Sequence, residues 1–313
     1  MSSISNHYVK YSAKLEHIND LAASDPRKMI ADVEDAYHDS IAQVAREVLV
    51  RGSRIIMLAG PSSSGKTTTS HMLTRYLEKE GVHSITISLD DFFLGAGKAP
   101  LLPNGRHDYE SIEALDIPLM EACLADLIFR NRCQMPSFNF NTGRRETAFR
   151  EVSIDPRDVV VVEGIHALNS RVSKDLPAEK LMKIYISVKQ GIANRNGEVI
   201  SAREIRFIRR LVRDFNFRSS TPQNTLTMWK DVCRGEDIYI QPFKRGADVT
   251  INSIHLYEPC VFKKYALPLL QKVEREHTGY PMIEHLLGAM EQFQDISPEM
   301  IPKDSMLMEF IKL

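Results

Sequence analysis

One loop constrains this chain more than any other feature. Residues 55–70 read IIMLAGPSSSGKTTTS, where Gly60, four residues and Gly65-Lys66-Thr67 satisfy G-x-x-x-x-G-K-[ST] without a mismatch. The apolar run Ile55–Ala59 predicts a strand buried in a parallel sheet, and Lys66 onward predicts a helix, so the loop falls where strand gives way to helix. Glycines let the backbone fold tightly round an anion, and a helix N-terminus turns unpaired N–H groups towards it. Residues Gly60, Ser62, Ser63, Ser64, Gly65, Lys66, Thr67 and Thr68 are therefore candidates to hold the phosphates of a nucleoside triphosphate such as ATP. Lys66 would reach the β- and γ-phosphates, and the Thr67 hydroxyl would ligate a bridging Mg²⁺.

Apolar runs and helical patterns alternate along the rest of the chain, as in a doubly wound α/β fold of the P-loop NTPase type with a mostly parallel sheet. Further strands are expected at 84–89, 159–162, 181–188 and 247–251, and helices at 26–50, 111–130, 257–276 and 281–293. Pro298 and Pro302 break up the tail. This divides the chain into an N-terminal helical extension (1–53), a P-loop core (54–256) and a C-terminal helical closure (257–313). The extension, with Ile30, Val33, Ile41, Val44 and Val48 at helical spacing, reads as packing rather than chemistry.

Composition excludes several classes. The 313 residues are 43% hydrophobic and 26% charged, enough for one large core with additions. A net charge of −1 leaves no global footprint for nucleic acid. No uncharged apolar run reaches membrane-spanning length, and MSSISNHYVKYSAK lacks a signal peptide's apolar core, so a cytoplasmic protein is expected. Cys123, Cys133, Cys233 and Cys260 have neither CxxC pairing nor zinc-site spacing and are expected to be free thiols.

Three further constellations carry chemistry. SLDDFF (88–93) brings Asp90 and Asp91 to the end of the second expected strand, where open parallel sheets place their ligand crevice. Either carboxylate could accept an acceptor hydroxyl's proton or hold a metal. VVVVEG (159–164) puts Glu163 at the end of a strand buried on both faces, a Walker B-like carboxylate opposite Thr67. In the stretch 201–218, Arg206, Arg209, Arg210 and Arg213 share one helical face, with Ile205, Ile208, Leu211 and Val212 largely on another. This predicts an arginine-rich lid over 200–220 that closes on transferring phosphates. Solvated salt bridges and a nucleic-acid surface are the weaker alternatives.

Taken in order, GPSSSGKTTTS, TISLDDFF, YESIEALD, PSFNFNTGRRE, VVVVEGIHALN and IRRLVRDFNFR resemble the uridine kinase and phosphoribulokinase superfamily. The likeness is greatest to bacterial-type uridine kinase-like proteins and runs from residue 54 into the tail IPKDSMLMEFI. Larger members carry an N-terminal half with a TGS domain, which is not expected here. The resemblance implies an ATP-dependent kinase that phosphorylates a small alcohol, best matched to the 5′-hydroxyl of uridine or cytidine, with homo-oligomeric association common among relatives. It implies Asp90 as catalytic carboxylate, Lys66, Arg210 and Arg213 as catalytic cations, Arg218 as a further lid contact to the nucleotide, and Thr67, Glu163 and Asp90 around Mg²⁺. Asp108 corresponds to the carboxylate that holds ribose hydroxyls, and Phe138 to the aromatic beside the base, with Arg210 also facing the acceptor. Phe138 and Phe140 alternate as strand residues do and would serve a core equally well. Where nucleoside kinases have a base-reading histidine, this chain has Asn141-Thr142-Gly143-Arg144. That difference leaves room for a sugar, sugar phosphate or vitamin-like acceptor, or for a regulatory ATP-binding module without transfer.

Overall fold

The computed structural model describes residues 14–139 and 142–312. Phe140, Asn141 and the first thirteen residues, on which parts of the sequence reading rest, lie outside the described residues. The central sheet has five strands: β1 (Ile55–Ala59), β2 (Ser84–Ser88), β3 (Val159–Glu163), β4 (Leu181–Ser187) and β5 (Val249–Asn252). Their spatial order is β5-β4-β1-β3-β2, and every neighbouring pair is parallel. β1 thus lies in the middle with the order reversing about it, the place where such sheets open a crevice.

The sheet is apolar on both sides because alternate residues serve two cores. Ile55, Met57 and Ala59 join Val160, Val162 and Tyr185 on one face, while Ile56 and Leu58 join Val161, Ile184 and Ile186 on the other. Helices cover both. The longer ones are α1 (Leu15–Ser24), α2 (Pro26–Arg51), α3 (Lys66–Lys79), α4 (Ile117–Arg130), α5 (Ala202–Phe217), α6 (Pro222–Gly235), α7 (Glu258–Leu270) and α8 (Tyr280–Glu291). α4 covers the first face through Met120, Leu124 and Leu127; the N-terminal, arginine-rich and C-terminal helices share the second core through Val33, Tyr37, Phe207, Leu211, Val261, Leu286 and Phe310.

Local chemistry sets the boundaries. Asp25 accepts the Lys28 N–H and Pro26 opens α2, which stops at Gly52 with φ +62°. The helix expected from Ser111 starts only at Ile117, because Asp116 caps the Leu119 N–H at 3.2 Å with Pro118 in the first turn. Residues Ile112–Ala114 form a separate 3₁₀ turn. α7 ends at Leu270, earlier than its apolar pattern predicts.

Three small antiparallel pairs were not legible in advance: Arg132–Met135 with Arg150–Ser153, Phe138–Asn139 with Arg144–Arg145, and Ile192–Asn194 with Gly197–Ile200. α6 has no counterpart among the expected helices; it packs on α5 through Trp229, whose ring lies 5.4 Å from that of Phe207. All four cysteines are free. Among the described residues no helix is long and apolar enough to cross a membrane.

Candidate active site

The phosphate loop needs glycine at both ends, for a close backbone approach at Gly60 and for a left-handed backbone at Gly65. A Cβ on Gly60 would stand 2.2 Å from the Ile186 carbonyl of β4, and one on Gly65, at φ +87°, 2.8 Å from Met306 Sδ. Ser63 adopts φ +58° between them. Gly60, Ser64 and Gly65 form the turn of the loop, and Thr68, in the first turn of α3, hydrogen-bonds Glu309, which lines the cleft. Ser62, Ser63, Lys66 and Thr67 line a cleft of about 1010 Å³. Lys66 Nζ donates to the Pro61 carbonyl at 3.2 Å; burial depresses its pKa, and the Glu163 and Asp90 charges work against that fall.

Two strand ends bring carboxylates to the same cleft. β2 passes into a 3₁₀ turn, Leu89–Phe92, that presents Asp90 to the opening. Its neighbour has another task, because Asp91 Oδ1 accepts the Phe138 N–H at 3.2 Å. This separates the two aspartates that the sequence leaves equivalent. Glu163, buried at the end of β3, accepts a hydrogen bond from Ser88 Oγ at 2.7 Å. Burial, and then the Asp90 charge, push its carboxyl up to about 7.

Among the described residues no group of three or more His, Cys, Asp or Glu side chains could hold a metal ion. Two carboxylates and the exposed Thr67 hydroxyl are nonetheless the oxygen donors a Mg²⁺ takes when phosphate and water complete its shell. The raised Glu163 pKa fits them: a carboxyl held up by burial and a like charge is one a cation would stabilise in ionised form.

The arginine-rich helix differs from the expected lid. α5 is buried on both faces, with Ser201 and Glu204 forming a capping box at its start. Arg209 is fully buried, its Nε 2.6 Å from Glu258, and its Nη1 donates to the Ser63 carbonyl at 3.3 Å. Arg206 pairs with Glu236 at 2.5 Å and donates to the Ser62 carbonyl at 3.2 Å. These two fasten the phosphate loop. Arg210, Arg213 and Arg218 line the cleft; Arg210 Nη1 donates to Ser62 Oγ at 2.7 Å, and Arg213 is held by Asp214 at 2.7 Å. Arg218 is exposed and lies 3.8 Å from Asp214. One helix face thus divides between scaffold and site.

On the far side of the cleft stand Phe93, Tyr109, Glu110, Phe138 and Glu146. Phe93 and Phe138 both line the cleft, their rings 5.6 Å apart. Arg145 pins this hairpin to the Asp90 turn through Asp116 at 3.0 Å and the Phe92 carbonyl at 3.3 Å. Asp108 is elsewhere. It is buried beneath this wall, paired with Arg234 at 2.6 Å and accepting from Tyr239 Oη at 2.9 Å, and it does not line the cleft. The carboxylate on the wall is Glu110, two residues on, which burial raises to about 7 against the pull of Arg210 and Lys66. Nothing in its spacing marks Glu110, since the turn that aims it is set by Asp108 accepting the Glu110 N–H at 3.3 Å. Glu309, on the far C-terminal segment, also lines the cleft and was equally invisible.

A phosphate loop on the central strand of a parallel sheet, with carboxylates at the ends of the next two strands on one side, β3 and β2, and arginines lining the same cleft, defines a P-loop small-molecule kinase. The chain belongs to the Phosphoribulokinase / Uridine kinase family, whose model matches residues 55–257. It is 26% identical to a uridine kinase of Lactobacillus helveticus over 198 residues, covering 63% of this chain and 85% of that one. It is 28% identical to a uridine kinase of Staphylococcus aureus over 206 residues, 64% of this chain and 88% of the other. A solved structure described as a possible uridine kinase from Bacillus stearothermophilus aligns with 68% of this chain and 97% of its own, at 18% identity and a TM-score of 0.45.

Proposed function

We propose that this protein transfers the γ-phosphoryl group of ATP to a primary hydroxyl of a small polar acceptor, best matched to the 5′-hydroxyl of uridine or cytidine. The observation that carries the reading is that Asp90, Lys66 and Glu163 converge on one cleft whose far wall is the Phe93–Phe138 ring pair. Asp90, in the 3₁₀ turn that follows β2, takes the proton of the attacking hydroxyl. Lys66, Arg210 and Arg213 neutralise charge developing on the transferred group, already oriented because Asp214 and Ser62 hold the two guanidinium groups. Thr67 and Glu163 would hold Mg²⁺, which would supply further neutralisation of phosphate charge when bound. The aromatic pair offers a planar ring a stacking surface, and Glu110 and Glu146 offer acceptors for hydroxyls.

A second reading keeps the chemistry and changes the acceptor to a sugar or another small alcohol. It is favoured by Asp108, whose carboxylate is committed to Arg234 and Tyr239 and not to the cleft. A panel of nucleosides, sugars, sugar phosphates and hydroxylated vitamins, with ATP and Mg²⁺ fixed and ADP release coupled to a readout, decides between them. Uridine or cytidine should give the highest kcat/KM. ATP binding without transfer to any of the panel would favour a nucleotide-binding switch.

A further inference from the structure

The C-terminal segment reaches the phosphate loop and places a carboxylate on it. The 3₁₀ turn Met306–Glu309 lies against the first turn of α3, where Glu309 Oε2 accepts from Thr68 Oγ1 at 2.9 Å and from the Thr68 N–H at 3.4 Å. Its charge acts on both Lys66 and Glu163. The segment is firmly anchored on either side of this contact. Ser305 Oγ donates to the buried Glu34 of α2 at 2.5 Å, Met306 fills the space above Gly65, and Phe310 is fully buried with its carbonyl accepting from Asn216 Nδ2 at 3.2 Å.

A carboxylate at this place is chemically unexpected for a loop that serves triphosphates. Backbone and hydroxyl donors in the first turn of a helix are the groups that receive a phosphate oxygen. Glu309 takes the two donors of Thr68 with an acceptor of the same charge sign, and one donor set cannot serve both. A triphosphate entering beside Glu309 also meets a like charge in a partly buried cleft, where repulsion is screened less than in water.

We propose that Glu309 is a built-in competitor for the phosphates of the donor nucleotide: its carboxylate occupies the Thr68 donors and must be displaced when a phosphate takes them. The idea rests on the reading that the loop binds a triphosphate. Glu309 thereby sets donor affinity below what the loop alone would give.

The test is equilibrium binding by calorimetry to the full chain, as wild type, Glu309→Ala and Glu309→Gln, with two probes in Mg²⁺: a non-hydrolysable ATP analogue and tripolyphosphate. The alanine variant should bind both probes about tenfold more tightly, the equivalent of one charge-assisted hydrogen bond no longer displaced. The glutamine variant keeps the shape and an acceptor for Thr68 but not the charge; it should gain about threefold, and it stands in if the alanine variant does not fold. Unchanged or weaker binding of both probes overturns the proposal while leaving the triphosphate reading intact. A gain for the nucleotide alone also overturns it, because Glu309 would then face ribose or base. Failure of the wild type to bind either probe removes the triphosphate reading and this proposal together.

Discussion

Ser88 Oγ donates to Glu163 Oε1 at 2.7 Å, joining the ends of two adjacent parallel strands beside the phosphate loop. The bond favours the ionised carboxylate, against the burial and the Asp90 charge that raise Glu163 to about 7. Only ionised Glu163 can hold a cation, so kcat/KM should rise as pH increases through about 7. Ser88→Ala should move that midpoint upward and weaken apparent Mg²⁺ affinity about tenfold. A pH profile of kcat/KM with a Mg²⁺ titration at each pH measures both, and an unmoved midpoint would detach Glu163 from the metal.

Lys66 and Asp90 should be separable from stability. Lys66→Ala removes a partly buried cation that faces Glu163 and Asp90, and should lower kcat by about 10²–10³-fold. Asp90→Asn should lower it by about 10²–10⁴-fold. Melting temperatures close to wild type are expected for both, and full activity in the Asp90→Asn enzyme would remove Asp90 as the base.

Arg209 should behave as scaffold. Its guanidinium is fully buried and forked onto Glu258, at 2.6 and 2.8 Å, so Arg209→Met strands a buried carboxylate and should cost about 3–5 kcal/mol in urea unfolding. The double variant Arg209→Met/Glu258→Leu should recover most of the loss, because the pair's desolvation cost goes with it. A double variant no more stable than the single one would contradict this account.

For Asp108 the structure predicts a stability effect without a change of acceptor preference. Asp108→Asn breaks its pairing with Arg234 and should cost about 1–3 kcal/mol while leaving the ranking of acceptors in the panel unchanged. A reordered ranking would return Asp108 to the acceptor pocket.

The phosphate loop, the strands on either side of it and the two strand-end carboxylates were legible because each is a local pattern. A glycine spacing, a run of apolar residues and a charge at the end of that run are all determined within a few positions. The same local logic gives an arginine-rich helix over 201–218 but not its buried setting. Helical periodicity groups Arg206, Arg209, Arg210 and Arg213 on one face; it cannot tell that Glu236 and Glu258, on other elements, claim the first two.

On the acceptor side the legible part ends sooner. Asp108 and Glu110 are two residues apart in a turn, and which of them faces the cleft is decided by Arg234 and Tyr239, contributed from well over a hundred positions away. Likewise nothing between residues 301 and 312 signals that Glu309 reaches Thr68, because that contact requires Phe310 to be buried in the core and Ser305 to be tied to Glu34 of the N-terminal helix.

Local sequence patterns specify the donor side: a loop that cradles phosphates, a parallel sheet to carry it, and carboxylates beside it. Backbone conformation and short-range spacing suffice for those. Only the tertiary structure decided which charges remain in the cleft and which are consumed in holding it together, since every buried charge must find a partner and the partners here come from distant segments.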